Sequence, residues 1–588
     1  MTLKESADTD GALLAYRLHD LTTDVPGQPA RQRVQGATPF LWAAALTLAI
    51  AAPWLLPGYI FGTDWSGPRR IDFPTSLTAM APFLAVLAVV AKVLSGEMAT
   101  KLLLLGCLFG AAITAYRALP WGGFVPRAVG SLIYVVNPFV YGRLHYGQVF
   151  LLAGYAILPW VATRVRLLLI DPEVRTALLL AAGLVVLGAV DLHLLLEAVV
   201  LLAAIVAGYL ALQRRESGYL RRLAFALLGT GGVTLLASAY WLIPLAIGKS
   251  PEGAALAHIG SADIGVYSSV ADPRLGLLPN LLGLYGFWAE ASGRFPSLKL
   301  FAPFWPVVLV AIVALAVVGA IVVLRSRPRT DFQEQRPWVA GLLLVAAFAL
   351  FLDVGVSDPH VAPVVRWLDQ VFPPYRGMRD AAKWAALLAL VYAQLVPVSV
   401  TALLNRVNRL RSETVREISV ALVMGLALAL PLYYGNGLLF GMHGQVRPSP
   451  YPSGWYEADR ILVADPHPGR VLFLPWHLYL SFSFVRNVDS IVANPAPNFF
   501  SVPVVISQNP EIVGLPPPDD PDQMALAYLV AQGATVDWAK PLAAHNIKYV
   551  ILAREVDWRA YRYFEYQPNM VKVADYGSLV LYRNLLWP

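Results

Sequence analysis

The sequence predicts a mainly α-helical, polytopic membrane protein with about eleven transmembrane helices and a C-terminal extracytoplasmic α/β domain. Three observations predict this class. Apolar residues make up 57% of the 588 residues and charged residues only 14%, where a water-soluble domain carries about 25%; the mean hydropathy is +0.57. Long apolar runs recur along most of the chain. The basic residues behind the net charge of +7 sit in short clusters between those runs, which is a topogenic pattern and not a polyanion-binding face. Nucleic acid is therefore not an expected partner, and the lipid bilayer is.

In chain order, residues 1–38 read as a polar cytoplasmic tail, too long and too acidic to open a signal peptide. The run 40–56 is read as a retained first span. Further runs cover 102–116, 128–140, 149–162, 177–190, 194–212, 223–247, 301–324, 338–352, 384–404 and 418–434. They are continuous instead of alternating, which excludes a membrane β-barrel. The run 80–94 decides the parity. If it lies along the interface, then Arg117 with Arg127, Arg164 with Arg166, Arg214 with Arg215, Arg325 with Arg327, and Arg406 with Arg409 all fall inside, together with Arg31 and Arg33. If it spans, the later clusters fall outside, against the positive-inside rule. The first arrangement leaves only Arg69, Arg70 and Lys101 as outer exceptions. It places an inner-membrane protein with its N-terminus in the cytoplasm, and it puts the long loops 57–78, 249–300 and 353–383 outside.

These readings divide the chain into a tail (1–38), a membrane domain (39–436) and an extracytoplasmic domain (437–588). The last has proline punctuation at Pro448, Pro450, Pro452, Pro516, Pro517 and Pro518. Its strand candidates are 470–474, 549–552 and 579–582, and its helix candidates are 455–463 and 525–532. Cys107 is the sole cysteine, so neither an intramolecular disulfide nor a cysteine metal site is available. Walker-type and dinucleotide glycine motifs are missing from the sequence.

Several polar residues lie where the expected topology has an outer membrane face. Asp64, in Gly62-Thr63-Asp64-Trp65, follows the first span closely. A carboxylate there is suited to take a proton from a hydroxyl or to hold a cation; a solvated loop residue or helix cap is the alternative. Asp72 is a second acid in the same loop. The segment from Asn137-Pro138 to Gln148 breaks a helix and sets Arg143, His145 and Gln148 at the interface, as phosphate or sugar ligands or as a polar turn with a snorkelling arginine. Asp191 and His193 separate two apolar runs, with Glu197 one turn on; ionisable groups near membrane depth usually face a cavity. Spacing alone supports no metal site there. In Tyr375-Arg376-Gly377-Met378-Arg379-Asp380-Ala381-Ala382-Lys383-Trp384, a helix would set Arg376, Arg379 and Lys383 on one face. Three outer cations run against the topogenic bias, and binding a lipid phosphate would account for them, as would anchoring to headgroups.

Together these features resemble the GT-C superfamily of membrane glycosyltransferases. The shared features are an outer aspartate after the first span, an interfacial segment, the Asn137-Pro138 break, the Arg-x-x-Arg-x-x-x-Lys element, and the ending Ile547-Lys548-Tyr549-Val550-Ile551-Leu552. The layout is most similar to the N-terminal module of α-1,3-branching arabinofuranosyltransferases. The resemblance implies an inverting transfer from a polyprenyl-phosphate-linked sugar to an extracytoplasmic glycan or glycolipid of the cell envelope. It casts Asp64 as the general base and Arg376, Arg379, Lys383 and Arg143 as the phosphate ligands. Asp72, His145, Gln148, Asp191 and His193 remain possible substrate contacts. Many members of the superfamily show an acidic pair where this chain has Asp64 and, imperfectly, Asp72, so a divalent cation stays open. Two other classes also stay open: a transporter or flippase of a lipid-linked sugar, and a non-catalytic membrane protein whose C-terminal domain binds an envelope glycan.

Overall fold

The computed structural model describes residues 30–120, 122–212, 216–326 and 335–588. Residues 1–29 of the expected tail, with Arg214, Arg215, Arg327 and Arg329, lie outside the described residues, as do the side chains of Arg31 and Arg33. Each expected apolar run forms a helix. The principal helices are α1 (Ala30–Ala51), α2 (Ala81–Val93), α3 (Gly96–Ala118), α4 (Phe124–Val135), α5 (Pro138–Tyr146), α6 (Val149–Ile170), α7 (Val174–Val190), α8 (Leu192–Leu212), α9 (Ser217–Ala237), α10 (Trp305–Leu324), α11 (Arg336–Val354), α12 (Ala385–Val407) and α13 (Glu413–Tyr434).

Among the described residues, nine helices are long and apolar enough to cross a membrane, and ten if one bent pair counts as a span. The expected eleven differ at two places. The run 177–190 forms α7, whose 17 residues sit at the short edge of what a bilayer needs. The run 128–140 breaks into α4 and α5, which meet at 42°. Asn137 makes the break by serving both ends. Its Oδ1 accepts from the Val140 amide at 3.0 Å, and its Nδ2 donates to the carbonyls of Ile133 and Tyr134 at 2.9 and 2.7 Å. Pro138 needs no partner at the first helical position, because it has no N–H to satisfy.

Helix α2, in the run that decides parity, does not cross. Its 13 residues extend about 20 Å. Just before it, the Ala79 amide donates to Glu252 at 2.6 Å. Just after it, Gly96 abuts the backbone of Pro68 and Arg69, and Glu97 accepts from the Gly58 amide at 2.8 Å. Both ends thus lie among the loops expected on one face. Those loops converge: Tyr59 bridges Ser449, the Arg70 amide donates to Asn498 at 2.9 Å, and Arg379 pairs with Asp263. Basic residues gather at the opposite end, where Arg117 lies 4.6 Å over the Phe40 ring and Arg336 bonds Ser326. The three cations on the loop face each have a local use. Arg69 pairs with Asp459 at 2.7 Å, Arg70 with Asp72 at 2.8 Å, and Lys101 with Glu97 at 2.6 Å.

The C-terminal domain is a three-layer α/β unit. Strands β1 (Arg470–Leu474), β4 (Val504–Val505), β5 (Ile547–Ala553), β6 (Met570–Asp575) and β7 (Leu579–Asn584) form one mixed sheet in the order β4-β1-β5-β7-β6. β4, β1 and β5 run parallel, and β7 is antiparallel to β5 and β6. Alternate residues explain why β1 and β5 are apolar throughout. Val471, Phe473, Tyr549 and Ile551 pack towards α14 (Ser453–Ala464). Leu472, Leu474, Val550 and Leu552 pack towards α15 (Pro521–Gln532) and α16 (Ala539–Ala544). A separate hairpin of β2 (Tyr479–Ser481) and β3 (Ile491–Ala493) reaches back to the membrane domain.

Candidate active site

Asp64 sits on a turn held from two sides. Gly62 and Trp65 exchange backbone hydrogen bonds of 2.9 and 3.1 Å, and the Asp64 amide donates to the Tyr146 carbonyl at 2.7 Å. Gly62 lies against Gly147, the left-handed residue that ends α5; a Cβ on Gly62 would fall 2.6 Å from the Gly147 Cα. Only glycine allows two backbones that close. From the other side, the Ala493 amide of β3 donates to the Thr63 carbonyl at 2.7 Å. The C-terminal domain therefore shapes the turn that presents Asp64.

The Asp64 side chain is exposed but stands in a cleft walled by protein. Tyr479 donates to its Oδ1 at 3.0 Å, and Gln148 faces its Oδ2 at 3.4 Å. Desolvation by the walls pushes the carboxyl above its ordinary range, while the Tyr479 and Gln148 hydrogen bonds and the nearby Lys383 oppose that push. A base tuned upward by its surroundings is the kind that proton transfer near neutral pH requires.

Behind Asp64 runs a hydrogen-bonded chain. Gln148 accepts from Arg143 Nη1 at 2.8 Å, and Arg143, only 1% exposed, pairs with buried Asp380. The guanidinium also lies 4.2 Å over the Phe287 ring. Arg143 is thus fixed in place by Asp380, Gln148 and Phe287.

The expected cationic helix face does not form. Pro373, Pro374 and Gly377 break the segment into two 3-10 turns, Pro373–Met378 and Ala381–Trp384, with an extended Asp380 between them. The three cations consequently have separate fates. Arg376 pairs with Asp369 at 3.5 Å. Arg379 pairs with Asp263 at 2.7 Å and lies 4.6 Å over the Tyr267 ring. Lys383 is half-buried, and its side chain makes no ion pair or hydrogen bond among the described residues. It interacts through space with Asp64, Asp191 and Glu197.

Asp191 ends α7 and caps α8. Its Oδ1 accepts from the Leu194 amide at 2.9 Å, and His193 Nδ1 lies 3.2 Å away. Glu197 is fully buried, and neither of its oxygens has a hydrogen-bond partner among the described residues. Asp353, at the end of α11, accepts from Ser269 at 2.9 Å. Two of the expected contacts lie elsewhere. His145 is buried, bonded to Gln445 at 2.9 Å and stacked on Phe295 at 4.7 Å. Asp72 is exposed and bound to Arg70. Among the described residues no three His, Cys, Asp or Glu side chains gather around one point, and Asp72 does not join Asp64.

Sequence reasoning gave no role to Asp380, although it stands inside the cationic run. Tyr479 carries no local signal of its role, because its reach to Asp64 crosses 415 positions. Tyr267 and Asp353 carried no local signal.

No protein-family model and no curated protein matches the chain. Solved structures do. The cryo-EM structure of arabinofuranosyltransferase AftD from Mycobacteria is similar at a TM-score of 0.57 and 15% identity, over 95% of this chain and 40% of that one. Two classes of a point variant of that enzyme match at TM-scores of 0.57 and 0.54, with 15% and 16% identity, 95% of this chain, and 42% and 41% of theirs. The chain thus spans about two fifths of the length of these structures. At such identity the likeness is one of fold, and the expected similarity to an arabinofuranosyltransferase holds at that level.

Proposed function

We propose that the chain is a membrane glycosyltransferase that moves a sugar from a polyprenyl-phosphate-linked donor to a hydroxyl of an extracytoplasmic envelope glycan or glycolipid, with inversion. The reading is supported by Asp64, which stands in its cleft between Tyr479 and Gln148, and by Lys383, whose side chain has no ion-pair partner among the described residues and acts through space on Asp64. The AftD fold supports the same class, with arabinofuranose as the first sugar to test.

In this reading Asp64 takes the proton of the acceptor hydroxyl as its oxygen attacks the anomeric carbon. The bond from that carbon to the phosphate oxygen breaks on the opposite face, and polyprenyl phosphate leaves. Lys383 meets the growing negative charge on the phosphate, with Arg143 adding positive potential from behind Gln148. Preorganised charge of this kind is worth about 100- to 1,000-fold in rate. Arg376 and Arg379, already neutralised by Asp369 and Asp263, hold the segment that carries Lys383. The positive-inside pattern supports an extracytoplasmic cleft.

The test uses the full chain in nanodiscs with radiolabelled polyprenyl-phospho-arabinofuranose and an octyl-linked arabinofuranose oligosaccharide. Labelled glycoside should form, and Asp64→Asn and Lys383→Gln should each abolish or nearly abolish it while thermal unfolding stays unchanged. Donor movement across vesicle membranes without glycoside formation would replace this reading with transport. Full activity in Asp64→Asn would refute the assignment of the base.

A further inference from the structure

The groups around Asp64 form two sets. Lys383, Asp380 and Arg143 belong to the membrane domain. The other set comes from the 249–300 loop, the end of α5 and the C-terminal hairpin, and it has no part in holding the phosphate. Trp288 is half-exposed and meets Tyr146 and Tyr267 edge-on at 5.3 and 4.9 Å. Tyr146 is the residue whose carbonyl holds the Asp64 amide, and Tyr267 interacts through space with Asp64. Tyr479 completes an aromatic wall beside the carboxylate.

One cation belongs to this wall. Arg294 is half-buried, yet its side chain makes no ion pair or hydrogen bond among the described residues. It acts through space on Tyr146, Tyr479 and Asp489. Asp489, on the hairpin, bonds the Ile491 amide at 2.9 Å but stays beyond ion-pair distance of Arg294. A half-buried arginine whose guanidinium has no protein partner keeps its donors open to the acceptors of a ligand. Such a group is expected where a ligand completes its hydrogen bonds.

We propose that this wall is the acceptor subsite and that it takes a neutral glycan, with a sugar ring laid on Trp288 and neighbouring hydroxyls bound by Arg294 and the Tyr479 oxygen. The proposal rests on the transferase reading and adds which surface recognises the acceptor. Flat aromatic faces bury the apolar side of a sugar ring. The planar fork of donors on Arg294 matches two adjacent hydroxyl oxygens. The Tyr479 oxygen, while donating to Asp64, still accepts a hydrogen bond, which draws an acceptor hydroxyl towards the base. Asp489 acts on Arg294 through space and Asp64 adds a second negative charge beside the wall, so a polyanion has no advantage there.

The experiment measures steady-state transfer in nanodiscs with the octyl-linked arabinofuranose oligosaccharide as acceptor, for Arg294→Gln, Trp288→Ala and Trp288→Phe. Arg294→Gln and Trp288→Ala should each raise the acceptor KM at least tenfold and leave the donor KM within twofold; Trp288→Phe should recover most of the loss. A raised donor KM, or an unchanged acceptor KM, would overturn the proposal. Saturation-transfer NMR of the same oligosaccharide on each folded variant separates this result from failure of the transferase reading. Binding by the parent protein that Arg294→Gln abolishes supports the subsite even if no transfer occurs, and no binding by the parent sinks it. Binding that collapses with added salt would identify an anionic ligand instead and refute the neutral one.

Discussion

Tyr479→Phe removes one hydroxyl from the cleft and keeps the ring. The lost group is the donor to Asp64 Oδ1 at 3.0 Å, one of the influences that hold the carboxyl down against desolvation. A hydrogen bond to a charged group contributes about 1.5–3 kcal/mol when water cannot replace it. Asp64 is exposed, so water takes over part of the vacated role and about 1 kcal/mol is a fair discount. That corresponds to about fivefold in rate. The sign follows from the role. Tyr479 stabilises the carboxylate, so its loss raises the carboxyl further and leaves less base at low pH. The phenol itself is pushed up, by burial first and then by Asp64, and stays a neutral donor throughout. At saturating acceptor, the donor kcat/KM profile against pH should therefore fall about fivefold on its acidic limb, with the limb displaced to higher pH, and rejoin the parent on the alkaline side. An equal loss at every pH would show a packing effect, and a limb displaced to lower pH would refute the reasoning.

Two further outcomes test the scaffold. Arg143→Ala leaves Asp380 buried without its partner and should destabilise the protein by about 3–5 kcal/mol in thermal unfolding; adding Asp380→Ala should recover part of that loss, and no recovery would show that the pair is not the cause. Gly62→Ala forces a methyl group to within 2.6 Å of the Gly147 backbone, so the Asp64 turn must move. Transfer should drop while the unfolding temperature changes little, and unchanged transfer would show that the turn tolerates displacement.

Local chemistry made much of the fold legible. The apolar runs located every long helix, and Asn137-Pro138 marked a break between two helices. In the C-terminal domain, the candidates 470–474, 549–552 and 579–582 correspond to β1, β5 and β7, and 455–463 and 525–532 fall within α14 and α15. Buried strands and apolar helices announce themselves through composition over a few residues. The cationic segment was less legible. Its spacing fits a helix face, but Pro373, Pro374 and Gly377 favour tight turns, and Asp369 and Asp263 from distant loops claim two of its three charges.

The sequence by itself determined that this chain belongs in a bilayer, which residues are buried in lipid-facing or core helices, and that Asp64 follows the first span. Those properties arise from hydropathy and short-range backbone chemistry, which act over a few turns of chain. Only the tertiary structure decided which of Arg376, Arg379 and Lys383 is left unpaired, that Gln148 and Arg143 stand behind the carboxylate, and that Tyr479 from the C-terminal domain holds it. Ion pairs and side-chain hydrogen bonds form between whichever groups folding brings within about 4 Å, and separation along the chain carries no record of that choice.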